Sequence, residues 1–216
     1  MEIESTQSGV EAAQRLPRRG ILAAGIGGVA VSLLPFLSGR ASATTPPTDA
    51  ATTTTAPPKR PTVDDTALLA LALEAELTAE GLYALAISSV KGWSAEQATV
   101  MTTLRQSHLA FGNALSGLLG SSAPATESAA IFEQLKSSFS GGTDDVLKAA
   151  ADLESALVAT HLDLLAKLQG VNGAALVASI QISEARHVTV LRTLAGVTDE
   201  AELLVDTEAD SLQGAG

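Results

Sequence analysis

Glutamate and histidine recur in this sequence at positions where helical periodicity otherwise places apolar residues. The clearest case is the run Glu184-Ala185-Arg186-His187, in which a carboxylate and an imidazole lie three residues apart. On an α-helix this spacing places both side chains on one face, where they can ligate the same metal ion. The Glu-x-x-His motif is common by chance, so it indicates a metal site only because it lies on an otherwise apolar stripe.

Four long apolar-periodic runs each carry such polar residues on a stripe written at alternating steps of three and four residues. The polar stripe residues are Glu76 and Glu80 in the first run, His108 in the second, Glu154 and His161 in the third, and Glu184 and His187 in the fourth. An unpaired buried carboxylate is costly, and several carboxylates close together also repel one another. A central cation removes both costs. Carboxylates and imidazoles without thiolate suit iron, manganese or zinc, so the stripes predict a metal site at mid-bundle.

The four runs have recognisable beginnings and ends, which predict four long helices. Asp64 and Asp65 offer a cap for the first run, and Ser94-Ala95-Glu96-Gln97 has the form of a capping box that opens the second. The third run begins at Thr143 and the fourth after Asn172-Gly173, and the four runs end at Lys91-Gly92, Gly120, Gly170 and Gly196.

The lengths of the connections indicate how these helices are ordered. Only a few residues join the first helix to the second and the third to the fourth, so each pair is predicted to form an antiparallel hairpin. Residues 121–142 lie between the pairs and have room for a short helix over residues 126–139. The sequence therefore predicts an all-α four-helix bundle of two antiparallel hairpins with a long crossover between helices 2 and 3.

With this topology and these stripes, residues 64–196 resemble the ferritin-like superfamily. More closely, the chain is similar to exported ferritin-like proteins of actinobacterial type, which carry a twin-arginine signal before the bundle. The resemblance implies a di-iron or related site with one Glu from helix 1, Glu and His from helix 2, one Glu from helix 3 and Glu-x-x-His from helix 4. Glu76, Glu154, Glu184 and His187 match this pattern.

Helix 2 departs from the family pattern. His108 and Phe111 lie on its stripe whereas Arg105 lies one step off it, so we interpret His108 as replacing a carboxylate and Phe111 as replacing a histidine. One metal position would then keep Glu154, Glu184, His187 or similar ligands, and the other would have lost a ligand. The resemblance therefore implies slow or absent ferroxidase activity, because oxygen reduction in this family uses two adjacent irons, and no catalytic residue is assigned.

The predicted ligand set follows from these two arguments, with some alternatives left open. We expect Glu76, His108, Glu154, Glu184 and His187 to surround the metal. Glu80 is the alternative to Glu76 if the register of helix 1 is shifted. His161 is expected to be hydrogen-bonded to a carboxylate rather than to ligate the metal directly, and Tyr83 is expected to point its hydroxyl at a site carboxylate.

The first 62 residues have the composition of an export signal followed by a tether. Pro17-Arg18-Arg19-Gly20-Ile21-Leu22 resembles a twin-arginine motif, the uncharged residues 20–37 follow, and Ala41-Ser42-Ala43 fits a cleavage site. The general secretory route and an uncleaved signal anchor are the alternatives. The predicted domains are an export signal (1–43), a Thr/Pro-rich linker (44–62), the ferritin-like bundle (63–196) and an acidic tail (197–216).

Composition excludes several other classes of function. The 216 residues include no cysteine, which excludes disulfide scaffolds and thiol chemistry, and 24 acidic against 13 basic residues give a net charge of −11. This balance argues against nucleic acid as a partner. Membrane contact is expected only through the export signal. A homodimer is compatible with the sequence, whereas a closed cage is disfavoured behind a flexible tether.

The sequence thus favours an exported, extracytoplasmic ferritin-like metal-binding protein, located in the periplasm, in the cell wall or outside the cell. The alternative is an exported structural or interaction bundle that has lost the metal site. In that case the glutamates and histidines of the core would pair with one another without an ion.

Overall fold

A computed structural model describes residues 59–212, which contain five α-helices and one 3₁₀ turn. The helices are α1 (Val63–Ser89), α2 (Ala95–Leu119), α3 (Ala129–Leu135), α4 (Thr143–Leu165) and α5 (Val171–Leu194), and the 3₁₀ turn is Gly120–Ser122. No strand occurs within these described residues, so the all-α prediction is confirmed. The predicted export signal and most of the predicted linker lie outside the described residues.

Capping side chains fix where the first two helices begin. Thr62 caps α1, because its Oγ1 accepts from the Asp65 amide and its own amide donates to the Asp65 carboxylate. The cap therefore lies before the predicted Asp64 and Asp65, and Asp65 is the third residue of the helix rather than its cap. At α2 the predicted capping box of Ser94 and Gln97 is present.

Asp65 also binds the turn that precedes the last helix. Its carboxylate oxygens accept from the amides of Gln169 and Gly170, both at 2.8 Å, across more than a hundred residues of sequence. A Cβ atom at Gly170 would lie 2.8 Å from both the Arg60 carbonyl oxygen and Asp65 Oδ2, so only glycine fits this approach. α4 ends at Leu165, before the predicted Gly170, and α5 begins at Val171.

The helices pack around two apolar clusters that lie at different levels of the bundle. α1 packs most extensively against α2, and α4 against α5, with further contacts of α1 to α4 and of α2 to α5. One cluster contains Leu82, Met101 and Leu157, and the other contains Leu73 and Leu115. On each long helix, the buried glutamates and histidines fall between or beside residues of these two clusters, at the level where the clusters meet.

The acidic tail runs over the outside of α4. Most of its described side chains are exposed, as the composition predicts. Its backbone is nevertheless anchored, because the Asp206 amide donates to Ser155 Oγ and the Leu212 amide donates to Thr160 Oγ1. In the part of the chain that the structure describes, no helix has the length and apolar character required to cross a membrane.

The first prediction concerns the acid stability that Asp65 confers. Burial opposes its ionisation, but hydrogen bonds from the amides of Gln169, Thr62 and Gly170 outweigh that effect and hold the pKa of Asp65 below its ordinary value. A depressed pKa stabilises the fold above the unfolded-state value and loses that effect as the pH falls through the folded-state value.

We therefore expect Asp65→Asn to lower the free energy of unfolding at pH 7, and the difference from wild type to shrink below about pH 4. Urea denaturation followed by circular dichroism across this pH range measures it. Asp64→Asn is the control, because Asp64 is an exposed neighbour on the same turn. Equal stability loss in both variants would contradict the role assigned to Asp65.

Candidate metal centre

Six buried side chains from four helices meet where the two apolar clusters adjoin. They are Glu76 from α1, His108 from α2, Glu154 and His161 from α4, and Glu184 and His187 from α5. His187 is 6% exposed and the other five have no exposed area. The structure thus brings together all five predicted ligands and adds His161. Three carboxylates and three imidazoles share one level of the core.

The first group consists of Glu76, His161 and Glu184, each of which offers a ligand atom within 4.8 Å of the others. His161 Nδ1 lies 2.8 Å from Glu184 Oε2, whereas His161 Nε2 lies 3.4 Å from Glu76 Oε1. Among the described residues, only four buried side-chain nitrogen or oxygen atoms have no hydrogen-bond partner. Three of them are Glu76 Oε1, His161 Nε2 and Glu184 Oε1.

Burial favours the neutral forms of both His161 and Glu184. Burial lowers the pKa of His161 and the charge of His108 adds to the effect, against the opposing influence of Glu76 and Glu154. A neutral His161 that donates from Nδ1 to Glu184 presents the lone pair of Nε2 to the unpaired carboxylate oxygens. Burial, with the charges of Glu76 and Glu154, raises the pKa of Glu184 well above its ordinary value, which favours its protonated form when no ion is bound.

The second group consists of His108, Glu154 and His187, and its atoms are largely paired with one another. His108 Nδ1 lies 2.8 Å from Glu76 Oε2 and its Nε2 lies 3.1 Å from Glu154 Oε1. His187 Nδ1 lies 3.2 Å from Glu154 Oε2, and the Tyr83 hydroxyl donates to Glu154 Oε1 at 2.6 Å. The predicted contact of Tyr83 with a site carboxylate is therefore present.

Opposite charges stabilise this second group without an ion. Burial alone would lower the pKa of His108, but Glu154 and Glu76 outweigh it and raise the pKa well above the ordinary value. Burial alone would raise the pKa of Glu154, but the charges of His187 and His108 hold it far below the ordinary value. The result is an imidazolium at His108 and a carboxylate at Glu154, joined by hydrogen bonds. This half of the core neutralises its own charge.

The choice between Glu76 and Glu80 is decided by their neighbours. Glu76 is fully buried among the site residues, whereas Glu80 lies at the surface of α1, where one of its oxygens is 2.6 Å from Arg105 Nη2. Arg105, which lies one step off the α2 stripe in the sequence, thus forms an ion pair with Glu80, which also lies outside the buried core. Phe111 lies on the stripe as predicted, and its ring stacks on that of His187 with centroids 6.3 Å apart.

His161 belongs to the first group, although the sequence did not place it among the expected ligands. It does bond a carboxylate, as expected, but only through Nδ1, and its Nε2 is one of the three unpaired atoms. The available signal was its position seven residues after Glu154, which puts both side chains on the inner face of α4 two turns apart. Sequence alone could not tell which ring nitrogen would remain unpaired.

Comparison with known proteins agrees with this architecture. The model of the ferritin-like domain family matches residues 64–197. The chain belongs to the ferritin-like domain family. The matched range contains the four long helices, and therefore the ferritin-like domain supplies all six buried site residues. No curated protein and no solved structure matches the chain significantly.

The second prediction concerns the hydroxyl of Tyr83. Tyr83→Phe removes the 2.6 Å hydrogen bond to the buried Glu154 carboxylate and leaves the ring contact with Phe139 in place. We expect the free energy of unfolding at pH 7 to fall by about 1.5–3 kcal/mol, the usual range for a hydrogen bond to a charged group. Urea denaturation measures the change, with Glu80→Gln as a control on the outer face of the same helix. A loss below about 0.5 kcal/mol, typical of a surface substitution, would contradict the assignment.

Proposed function

We propose that the chain is an exported ferritin-like protein that binds one divalent metal ion tightly at Glu76, His161 and Glu184. The observation that carries this proposal is the cluster of Glu76, His161 and Glu184, whose ligand atoms lie within 4.8 Å of one another and which each carry one unpaired, fully buried atom. Buried polar atoms in folded proteins are paired in nearly all cases, so three exceptions within one cluster call for a physical reason. A cation bound between them supplies a partner to each.

The free-energy cost of unpaired buried polar groups favours a bound ion over an empty polar cavity. Each unpaired buried polar group costs about 1–3 kcal/mol, and the cost is higher for charged groups. A bound ion offsets these costs and favours the ionised form of Glu184, so binding would release a proton and stabilise the fold. The hydrogen bond from His161 Nδ1 to Glu184 already orients the imidazole for ligation through Nε2.

The donor set indicates which metals fit. Two carboxylates and one imidazole without thiolate suit iron, manganese or zinc. Such an ion, when bound, would supply Lewis acidity and, for iron or manganese, one-electron redox chemistry. The residues of this chain would hold it and exclude bulk water, since none of the three has exposed area.

This assignment changes the ligand set predicted from sequence. Glu76 and Glu184 remain ligands and His161 joins them. His108, Glu154 and His187 form the altered second position, which would accept an ion only by giving up its internal hydrogen bonds. We therefore propose one tight metal position and a weak or vacant second one, with slow or absent ferroxidase activity.

We also propose that the bundle has the two-hairpin topology. The N-terminal part of α1 lies in the cluster that contains Leu73, and its C-terminal part lies in the cluster that contains Leu82. α2 runs in the opposite direction, because its N-terminal Met101 lies in the Leu82 cluster and its C-terminal Leu115 lies in the Leu73 cluster. α4 runs in the same sense as α2, and α5 runs opposite to α4. Parallel α2 and α4 require the long connection that contains α3 to cross the bundle, as in the ferritin-like arrangement.

Elemental analysis and binding titration test the metal site. Wild-type protein purified without chelators is expected to hold or take up about one equivalent of iron, manganese or zinc per chain. His161→Gln and Glu184→Gln are expected to lose it, because each removes one of the three ligand atoms, whereas Glu80→Gln keeps it. Metal binding should also raise the melting temperature of the wild type and not of His161→Gln.

The second candidate function is a structural or interaction bundle without a metal. The paired second group favours it, since His108, Glu154 and Tyr83 satisfy one another with no ion. Under this alternative, wild-type protein takes up less than about a tenth of an equivalent after metal loading, and its melting temperature does not change. Equal uptake by wild type and His161→Gln would also contradict the proposed site.

Export through the twin-arginine route is part of the same proposal, on the basis of Arg18-Arg19 and the uncharged residues that follow them. Changing both arginines to lysine is expected to keep the full-length chain in the cytosol, whereas wild type is recovered outside the cytoplasm with an N-terminus near Thr44. Cell fractionation and N-terminal sequencing measure this, and Arg15→Lys is the control. Export of the double-lysine variant at the wild-type level would contradict the twin-arginine route.

A further inference from the structure

Solvent reaches the six buried site residues at a single place within the described part of the chain. The side chain of His187 is 7% exposed, whereas the side chains of Glu76, His108, Glu154 and His161 have no exposed area. An ion that enters from solvent must therefore pass His187 unless the helices separate. Over their whole lengths, α2 and α5 contact each other less extensively than the helices within the α1–α2 and α4–α5 pairs do.

The two ring nitrogens of His187 face in different directions. Nδ1 lies 3.2 Å from Glu154 Oε2. Among residues 59–212, Nε2 has no hydrogen-bond partner and is not one of the buried unpaired atoms, which leaves it in contact with solvent. The ring of Phe111 from α2 stacks on that of His187, with an interplanar angle of 17°. Phe111 is itself only 4% exposed, so its ring shields the imidazole from one side.

A continuous series of ligand atoms leads inward from His187. Glu154 bonds His187 through one oxygen and His108 through the other, and His108 in turn lies 2.8 Å from Glu76 Oε2. The other oxygen of Glu76 is one of the three unpaired atoms of the first group. No residue in this series is apolar. An ion moving along it would pass from the carboxylate of Glu154 to that of Glu76, displacing the proton that His108 shares with them, without ever lying in a purely apolar environment.

We propose that a divalent metal ion enters the bundle at His187, between α2 and α5, and passes along Glu154 to reach Glu76, His161 and Glu184. The inference rests on the proposed metal site and adds a role for the second group, which is the entry path rather than a second storage position. His187 captures the ion through Nε2, and the Phe111 ring limits how fast capture and escape occur.

Rates of uptake and release of Co²⁺ by the full chain distinguish a path residue from a ligand. Co²⁺ bound by imidazole and carboxylate is followed by its visible absorption in a stopped-flow instrument, and release is driven by excess EDTA. His187→Leu is expected to slow uptake and release by a similar factor, because it removes the nitrogen that first contacts the entering ion. Because both directions use one path, the equilibrium affinity changes much less than either rate.

A second variant allows the path to be tested even if His187→Leu does not fold. Phe111→Leu is expected to speed both uptake and release, since it retains apolar volume but removes the ring that covers His187. Leu109→Ala is the matched control, because Leu109 is half-exposed on the same helix. Rates equal to wild type in both His187→Leu and Phe111→Leu would overturn the path.

Faster release together with weaker affinity in His187→Leu would also overturn the path, since it would make His187 a ligand of the bound ion. Failure of the wild-type chain to bind Co²⁺ at all would overturn the proposed function, and the path with it. This outcome differs from normal binding with unchanged rates, which removes the path alone.

Discussion

The central constraint on this bundle is the placement of three carboxylates and three imidazoles in a core that solvent hardly reaches. Six ionisable groups at one level are stable only if protons, mutual hydrogen bonds or a cation balance their charge. In the second group, His108 and Glu154 achieve the balance by pairing. In the first group each of the three residues keeps one buried atom without a partner, which is the arrangement that a bound ion would complete.

Much of this architecture could be predicted from sequence because few physical rules determine it. Helical periodicity and the positions of the glycines indicated the four long helices. The interrupted stripes contained all six polar core residues, of which five were predicted to be ligands. The residues at which the helices begin and end were less predictable. Thr62 caps α1 because Asp65 can bond back to it, a local competition between neighbouring polar residues that composition does not decide.

What the sequence could not give was the pairing inside the core. Glu76 and Glu80 are one helical turn apart, and their different roles depend on whether Arg105 is within reach of the outer one. Likewise His108 and His161 are both buried histidines, yet one has both nitrogens paired and the other has one unpaired. These differences of a few ångströms arise from tertiary packing between residues distant in sequence.

The bonds around Asp65 bear on how the domain would respond to a pulling force. The Lys59 carbonyl accepts from the Asn172 amide, and Asp65 then bonds Gln169 and Gly170. Tension from a preceding tether would thus be shared at once between the first helix and the start of the last. A domain suspended by its N-terminal segment would resist peeling of α1 at the point where the load enters.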